Sequence, residues 1–467
     1  MHPTDPIHLL GAAALVARFR ARTLSPVDAT EAVLARIAAW EPHLHALYAL
    51  DPAAAREAAR ASEERWAAGA PLGPIDGVPV TVKENIATRG VPVPLGTAAS
   101  ELVPAIADAP PAARLREAGA VLLAKTTMPD FGMLSSGLSS FHALARNPWR
   151  LDRNPGGSSA GAGAAAAAGY GPIHVGTDIG GSVRLPGGWC GLATLKPSFG
   201  RIPIDPPTHG RVAGPMARTV DDAALLMRVL AQPDARDTMS LPYERIDWSD
   251  LGRDVRGLRL GVLLDAGTGL ATEPAVRAIV RAAADRFADA GAEVRDVRPF
   301  MTRTMLDGMD RFWRLRSHLA IEAMPRAKRE AVLPFIRAWA EGGAQASGAE
   351  VFEGYAQMAA MREAAIAAHR PFDAVLSPVS PIASFPAEFA MPTNDPARAM
   401  EHIAFTLPYN MSEQPAATVN AGWTDDGLPV GLQIAGHRFA DLAVLQVAKL
   451  WESLRGPQRP WPEPPRS

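Results

Sequence analysis

Two glycine- and serine-rich turns, Gly156-Gly157-Ser158-Ser159-Ala160-Gly161 and Gly176-Thr177-Asp178-Ile179-Gly180-Gly181-Ser182-Val183-Arg184, bracket an alanine run from Ala162 to Ala168 and an apolar run from Ile173 to Val175. Glycine beside serine frees neighbouring backbone N–H groups to converge on one point, which is what an anion or an oxyanion needs. The letters exclude several ready-made chemistries. A phosphate loop requires Lys and then Ser or Thr after its second Gly, but Gly161 is followed by Ala162. A dinucleotide loop starting at Gly161 would want Gly at position 166, which is Ala166. A hydrolase elbow on Ser182 would need Gly two residues on, where Arg184 stands. No lysine has Ser three residues before it, and no His-Glu-x-x-His helix is present; His43 and His45 read as a helix-end pair rather than metal ligands. What remains is a nucleophilic serine with no histidine partner in view.

Composition suggests a base. Lys83, Lys125, Lys196, Lys328 and Lys449 are the only lysines among 47 basic residues, so 42 are arginines. A chain this biased keeps lysine where arginine cannot substitute. A general base is such a place, because a desolvated ammonium titrates near neutrality whereas a guanidinium stays charged. Lys83 follows the apolar run Val78 to Val82, a buried-strand pattern that disfavours the ammonium, while Lys328 and Lys449 fall on solvated helical patterns. Moving a lysine from about 10.4 to about 7.5 corresponds to roughly 4 kcal/mol of differential solvation, within the reach of burial. The simpler alternative is that Lys83 caps or ion-pairs beside Glu84.

These residues need elements to hold them. Helical periodicity ended by Pro or Gly predicts helices over Pro26–Trp40, with Ser25 as N-cap, and Pro52–Ala68. Val78–Val82 and Val121–Ala124 read as short buried strands, with Arg114–Ala118 ending a helix between them. A second βαβ rhythm runs through Leu260–Leu264, Glu273–Ala290 and Glu293–Val297. A mostly helical stretch from Phe300 to Arg370 follows, then strands at Ala374–Leu376 and Leu428–Ile434 and a closing helix at Asp441–Leu454. Strands alternating with helices predict an α/β layered fold without repeats. No linker divides the chain, so residues 1–467 read as one domain, with a helical N-terminal segment over about 1–70 and a loose Pro-rich tail over 456–467.

The 467 residues carry a net charge of −2, 48% hydrophobic and 21% charged residues, and one cysteine, Cys190. A core this large excludes disorder and small stapled scaffolds. Near-neutral charge predicts small-molecule partners and no nucleic acid. A single cysteine cannot form an internal disulfide, which fits a reducing compartment, and cytoplasm is the default expectation. Leu9–Ala17 imitates a signal-peptide core, but Arg18, Arg20 and Arg22 follow it, the wrong charge order, so it reads as the apolar face of a first helix. The uncharged stretch Asn154–Thr177 is too polar and glycine-broken to cross a bilayer, and no membrane association is expected. It reads as a crowded core element instead.

Thr81-Val82-Lys83-Glu84-Asn85-Ile86, both Gly/Ser turns, and Cys190-Gly191 followed by Leu195-Lys196-Pro197 resemble the amidase signature family. The 24 residues separating Ser158 from Ser182 match that family's spacing of two serines. Further similarity lies in Ala124-Lys125-Thr126, Arg146-Asn147-Pro148-Trp149, Gly214-Pro215-Met216-Ala217-Arg218, Gln414-Pro415-Ala416 and Gly427-Leu428-Pro429-Val430-Gly431-Leu432-Gln433, so the resemblance covers nearly the whole chain. It implies an α/β/α sandwich around a large mixed sheet and a Ser–cis-Ser–Lys triad. In that triad Ser182 is the nucleophile, Ser158 the bridging serine after a cis peptide from Gly157, and Lys83 the base. By the same resemblance the backbone N–H groups of Ile179, Gly180, Gly181 and Ser182 hold the oxyanion, Asp178 and Arg184 brace the loop, Ser159 is a supporting donor, and Met133, Leu134 and Ser135 line the acyl pocket. Phe300–Arg370, with Trp313, Phe335 and Trp339, carries the least family signal and is expected to shape access.

No metal and no cofactor are implied, and a homodimer is compatible with all of this. The departures Ala160, Thr194 with Ser198, Met411-Ser412-Glu413 and Asn420-Ala421-Gly422 lie around the site and bear on substrate rather than on catalysis. The leading expectation is a free-standing amidase that releases carboxylate and ammonia or amine through an acyl-enzyme. The alternative is the glutaminase subunit of a tRNA-dependent amidotransferase. A catalytically silent binding protein on the same fold is disfavoured by the joint retention of Lys83, Ser158 and Ser182.

Overall fold

The apolar runs on either side of the serine turns pair into one mixed sheet. The computed structural model describes residues 6–465. Its strands are β1 (Leu47–Tyr48), β2 (Pro79–Lys83), β3 (Val121–Thr126), β4 (Ile173–Asp178), β5 (Ala193–Lys196), β6 (Val212–Ala217), β7 (Arg259–Val262), β8 (Glu293–Asp296), β9 (Ala374–Pro378), β10 (Ala416–Trp423) and β11 (Pro429–Ala435). They form an eleven-stranded sheet in the order β1-β3-β2-β4-β6-β5-β10-β11-β9-β7-β8. β2 runs parallel to both β3 and β4, and β7 parallel to β8 and β9, while the pairs across the middle are antiparallel. The chain is thus two βαβ-like wings joined through an antiparallel centre.

Alternation along the strands sends side chains to two faces. Val80, Val82, Ile173 and Val175 join one apolar cluster with Leu115, Leu226, Leu230, Val444 and Trp451 from the helices Pro110–Glu117, Val220–Leu230 and Asp441–Leu454. Val121 and Leu123 point into a second cluster, with Val33, Ile37 and Trp40 of helix Pro26–Leu44 and Ala164, Ala165 and Ala168 of helix Ala160–Ala168. Helices therefore cover both faces, the layered α/β arrangement the alternation predicts. Every residue of helix Ala160–Ala168 is buried, which explains the uncharged stretch. Only side chains of methyl size fit between the sheet and helix Pro26–Leu44. Ser25 caps the latter helix through a bond from Val27 N, with Asp28 reciprocating to Ser25 N.

Two readings need correction. β1 is only two residues long, and β5, β6 and β10 carry too many small, proline or polar residues for an alternation signal, so no strand is predicted at any of them. The Pro-rich end is not loose over its described residues. Trp461 lies 5.6 Å from Trp149 ring to ring, Arg459 sits over Trp423, and buried Arg36 binds both Pro462 O and the Glu463 carboxylate. Among the described residues no helix is long and apolar enough to cross a membrane.

Candidate active site

β2 ends at Lys83, and the pleat that sends Val80 and Val82 into the first core directs Lys83 to the opposite face. The side chain is fully buried. Its Nζ donates to Ser158 Oγ at 2.8 Å and to Thr177 O at 3.5 Å. Loss of hydration pushes the ammonium down from 10.5 to about 7, against the upward pull of the Asp178 and Glu84 carboxylates and with the help of Arg211. Of the other lysines, burial also lowers Lys196 to about 7, where it donates to Pro197 O, and Lys125 to about 8, where it donates to Ile86 O. Lys83 alone among the five contacts a serine hydroxyl within the two turns. Its side chain makes no ion pair with Glu84, which is held by His142 and by Gly96 N, so the simpler alternative for Lys83 is not what the geometry favours.

Ser158 follows a cis Gly157–Ser158 peptide and stands just before helix Ala160–Ala168. A Cβ at Gly157 would lie 2.5 Å from Ser136 N and 2.6 Å from Ser136 O, so only glycine lets the turn sit this deep. Ser159 ties the two turns together. Its backbone N donates to Ser182 O at 3.2 Å, and its Oγ donates to Thr177 O at 3.2 Å while accepting from Thr177 N at 3.3 Å.

The second turn wraps around Asp178 at the end of β4. The carboxylate accepts from Gly181 N (2.9 Å), Val183 N (3.1 Å), Asn410 Nδ2 (2.9 Å), and Arg184 Nη2 (2.9 Å) and Nε (3.1 Å). Arg184, fully buried, spends its remaining donors on Thr406 O, Gln433 Oε1 and Asn410 Oδ1. Burial alone would raise the Asp178 pKa, but Arg184, Asn410 and the backbone donors outweigh it and hold the group well below the usual carboxylate range. A fully paired buried network of this kind fixes a loop in one conformation.

The donors in that loop are not equivalent. Gly181 N is turned inward to Asp178, which corrects its expected place in the oxyanion-binding set. Among the described residues, the N–H groups of Ile179, Gly180 and Ser182 have no protein acceptor. Ser182 faces a cleft whose lining includes Met133, Leu134 and Ser135. The sequence did not point to Arg316, Met391, Met400 and Ile403, which line the same cleft beside Trp313. Arg316 lies one turn after Trp313 on helix Arg303–Glu322, so helical spacing from the flagged tryptophan was the available signal. The methionines stand in irregular segments with no period to read. Among the described residues, no group of three or more His, Cys, Asp or Glu is placed to hold a metal ion.

Comparison with known proteins bears on this geometry. A family model described as Amidase matches residues 28–445. A glutamyl-tRNA(Gln) amidotransferase subunit of Chloroflexus aurantiacus is 35% identical over 96% of this chain and 97% of its own length. The protein of the same name from Alkalilimnicola ehrlichii is 33% identical over 98% and 99%. Among solved structures, a bacterial aryl acylamidase of the amidase signature family superposes with a TM-score of 0.88 at 29% identity, covering 96% of this chain and 97% of that one. A 6-aminohexanoate cyclic dimer hydrolase superposes at 0.84 and 27%, covering 96% and 97%.

These relatives overturn one expectation. Near-neutral charge predicts small-molecule partners and no nucleic acid, yet relatives similar over nearly their whole length are named as one subunit of an enzyme of glutamyl-tRNA(Gln). Net charge averages over a whole surface, and one component can serve such an assembly without being basic itself. With the family model spanning most of its length and relatives similar from end to end, the chain belongs to the amidase signature family and is an enzyme that hydrolyses amide bonds.

Proposed function

We propose that Ser182 is the nucleophile, Ser158 the proton relay and Lys83 the base of a serine amidase. The observation that carries this reading is the bond between Ser158 Oγ and a fully buried lysine whose pKa falls to about 7, which makes the neutral amine available at physiological pH. Neutral Lys83 takes the proton of Ser158 as Ser158 takes that of Ser182, and Ser182 Oγ attacks the amide carbonyl. The free N–H groups of Ile179, Gly180 and Ser182 meet the oxyanion, while Asp178 and Arg184 keep them aimed. Collapse returns the proton to the leaving nitrogen, and water then attacks the acyl-enzyme with the same relay as base.

Two acyl donors remain in play. The names of the curated relatives support a glutaminase subunit of a tRNA-dependent amidotransferase more than a free-standing enzyme. One feature favours the free-standing reading: the described residues lining the cleft are largely apolar and include no carboxylate to meet the α-ammonium of glutamine. Ammonia release by wild type and Ser182→Ala from glutamine and from aliphatic and aromatic amides tests both. Release that survives in Ser182→Ala removes the assigned nucleophile. Release by wild type from glutamine alone, joined by co-purification with partner subunits, establishes the subunit reading, and turnover of apolar amides without a partner establishes the other.

A further inference from the structure

Resting on the amidase reading, we infer that the substrate amide carries an anionic group away from the scissile bond, and that Arg316 is its anchor. Among the described residues, the only charged side chain lining the cleft that holds Ser182 is Arg316. Its guanidinium makes no ion pair among the described residues; its contact is with Met133 Sδ, 3.8 Å from Nη2. On the same helix, Arg314 is paired with Asp310 at 2.6 Å, whereas Arg316 has no carboxylate within reach among the described residues.

A second cation reinforces the field. Arg211, in the turn leading into β6, is half-buried, donates through Nη2 to Pro206 O, and has a buried Nε with no hydrogen-bond partner. Burial first, and then the nearby charge of Arg316, lower its pKa, with Asp205 and Asp237 opposing. The two like charges oppose each other, and the described lining of the cleft, which includes Arg316 but not Arg211, offers no anion to balance them. A carboxylate on the substrate relieves that repulsion and supplies Arg316 with paired acceptors in the geometry its planar fork matches. The apolar lining of Met133, Leu134 and Ile403 in the same cleft suits a methylene spacer. The favoured class is thus a monoamide of a dicarboxylic acid. Glutamine also offers a carboxylate, but its added ammonium meets no anion in the described lining.

The test pairs each monoamide of succinic, glutaric and adipic acid with the neutral amide of equal chain length, using wild type, Arg316→Gln, Arg316→Lys and Ser182→Ala. The expected result is a wild-type kcat/KM roughly tenfold or more higher for the acid member of at least one pair. Arg316→Gln should erase that preference mainly through KM, with a loss on the acid member several times that on the neutral one, and Arg316→Lys should restore part of it. Absence of preference in all three pairs overturns the inference, as does an equal loss on both members in Arg316→Gln. Neutral-amide turnover that vanishes in Ser182→Ala shows that the amidase reading stands even where the anchor fails.

Discussion

In the proposed triad, Lys83 would couple stability to activity. Its burial makes the neutral amine accessible near pH 7, so kcat/KM should fall about tenfold per unit below pH 7 and level off above it. A profile that stays flat down to pH 5 would remove Lys83 from the base role. The same shift has a sign for stability. With a folded pKa of about 7 and an unfolded one of about 10.4, the unfolded chain holds the proton through that window. Stability therefore rises with pH between those values, and Lys83 contributes up to about 1.4 kcal/mol per unit of that slope. Lys83→Met should abolish amide hydrolysis while reducing the slope of stability against pH between 8 and 10, measured by denaturant unfolding. Lys83→Arg should be equally inactive, because a guanidinium does not surrender its proton. That Lys83 stands at the end of a buried strand was legible in the sequence. The cleft was not, since Arg316, Met391 and Met400 come from segments that only the tertiary fold brings to Ser182.

Among elements, the helix Ala160–Ala168 and the turn around Asp178 carry the architecture of the site, each by a different physical device. The helix is seated by the absence of side chains. A Cβ on Gly161 would lie 2.2 Å from Ala46 O and 2.5 Å from Thr127 N, both backbone atoms that cannot swing aside. Gly161→Ala should therefore cost about 1–3 kcal/mol by thermal or denaturant unfolding despite its better helix propensity, and a neutral or stabilising result would mean the helix has room to slide. The turn is held by charge. Arg184→Met strips Asp178 of its buried counter-ion and should cost about 3–5 kcal/mol, with activity lost in the same variant. Both elements were visible in the sequence because glycine and serine mark turns. The central strands were not: β5, β6 and β10 hold their place through backbone approach rather than apolar bulk. A Cβ on Gly214 of β6 would stand 2.2 Å from Leu195 O on neighbouring β5. Close packing of small residues erases the alternation that a sequence reader relies on.

For the whole molecule, summed composition misled where specific contacts decide. Net charge near zero concealed a relationship to subunits of a tRNA-linked enzyme. Proline content suggested a loose end, yet the C-terminal segment lies along the body. Proline has little backbone freedom to lose on ordering, so a few aromatic and ionic contacts suffice to dock such a stretch. Here Trp461 reaches the cluster behind the serine turns that contains Ala162, Ala166 and Val183, and Pro462 and Glu463 meet Arg36, whose Nε caps Ala168 O at the far end of the same helix. The tail thus clamps the helix that follows Ser158 from outside the cleft. Deleting residues 457–467 should lower stability by about 1–2 kcal/mol, because Trp461 loses most of an aromatic burial while Glu463 is largely exposed and contributes little. None of the described residues in the deleted segment lines the cleft, so kcat/KM should stay within about twofold of the full chain at temperatures well below unfolding. Calorimetry of the two forms, with limited proteolysis of the full chain, separates the alternatives. A protected tail and a lowered transition establish the clamp. An unchanged transition with rapid cleavage after Arg455 or Arg459 would return the segment to the loose end its composition suggests.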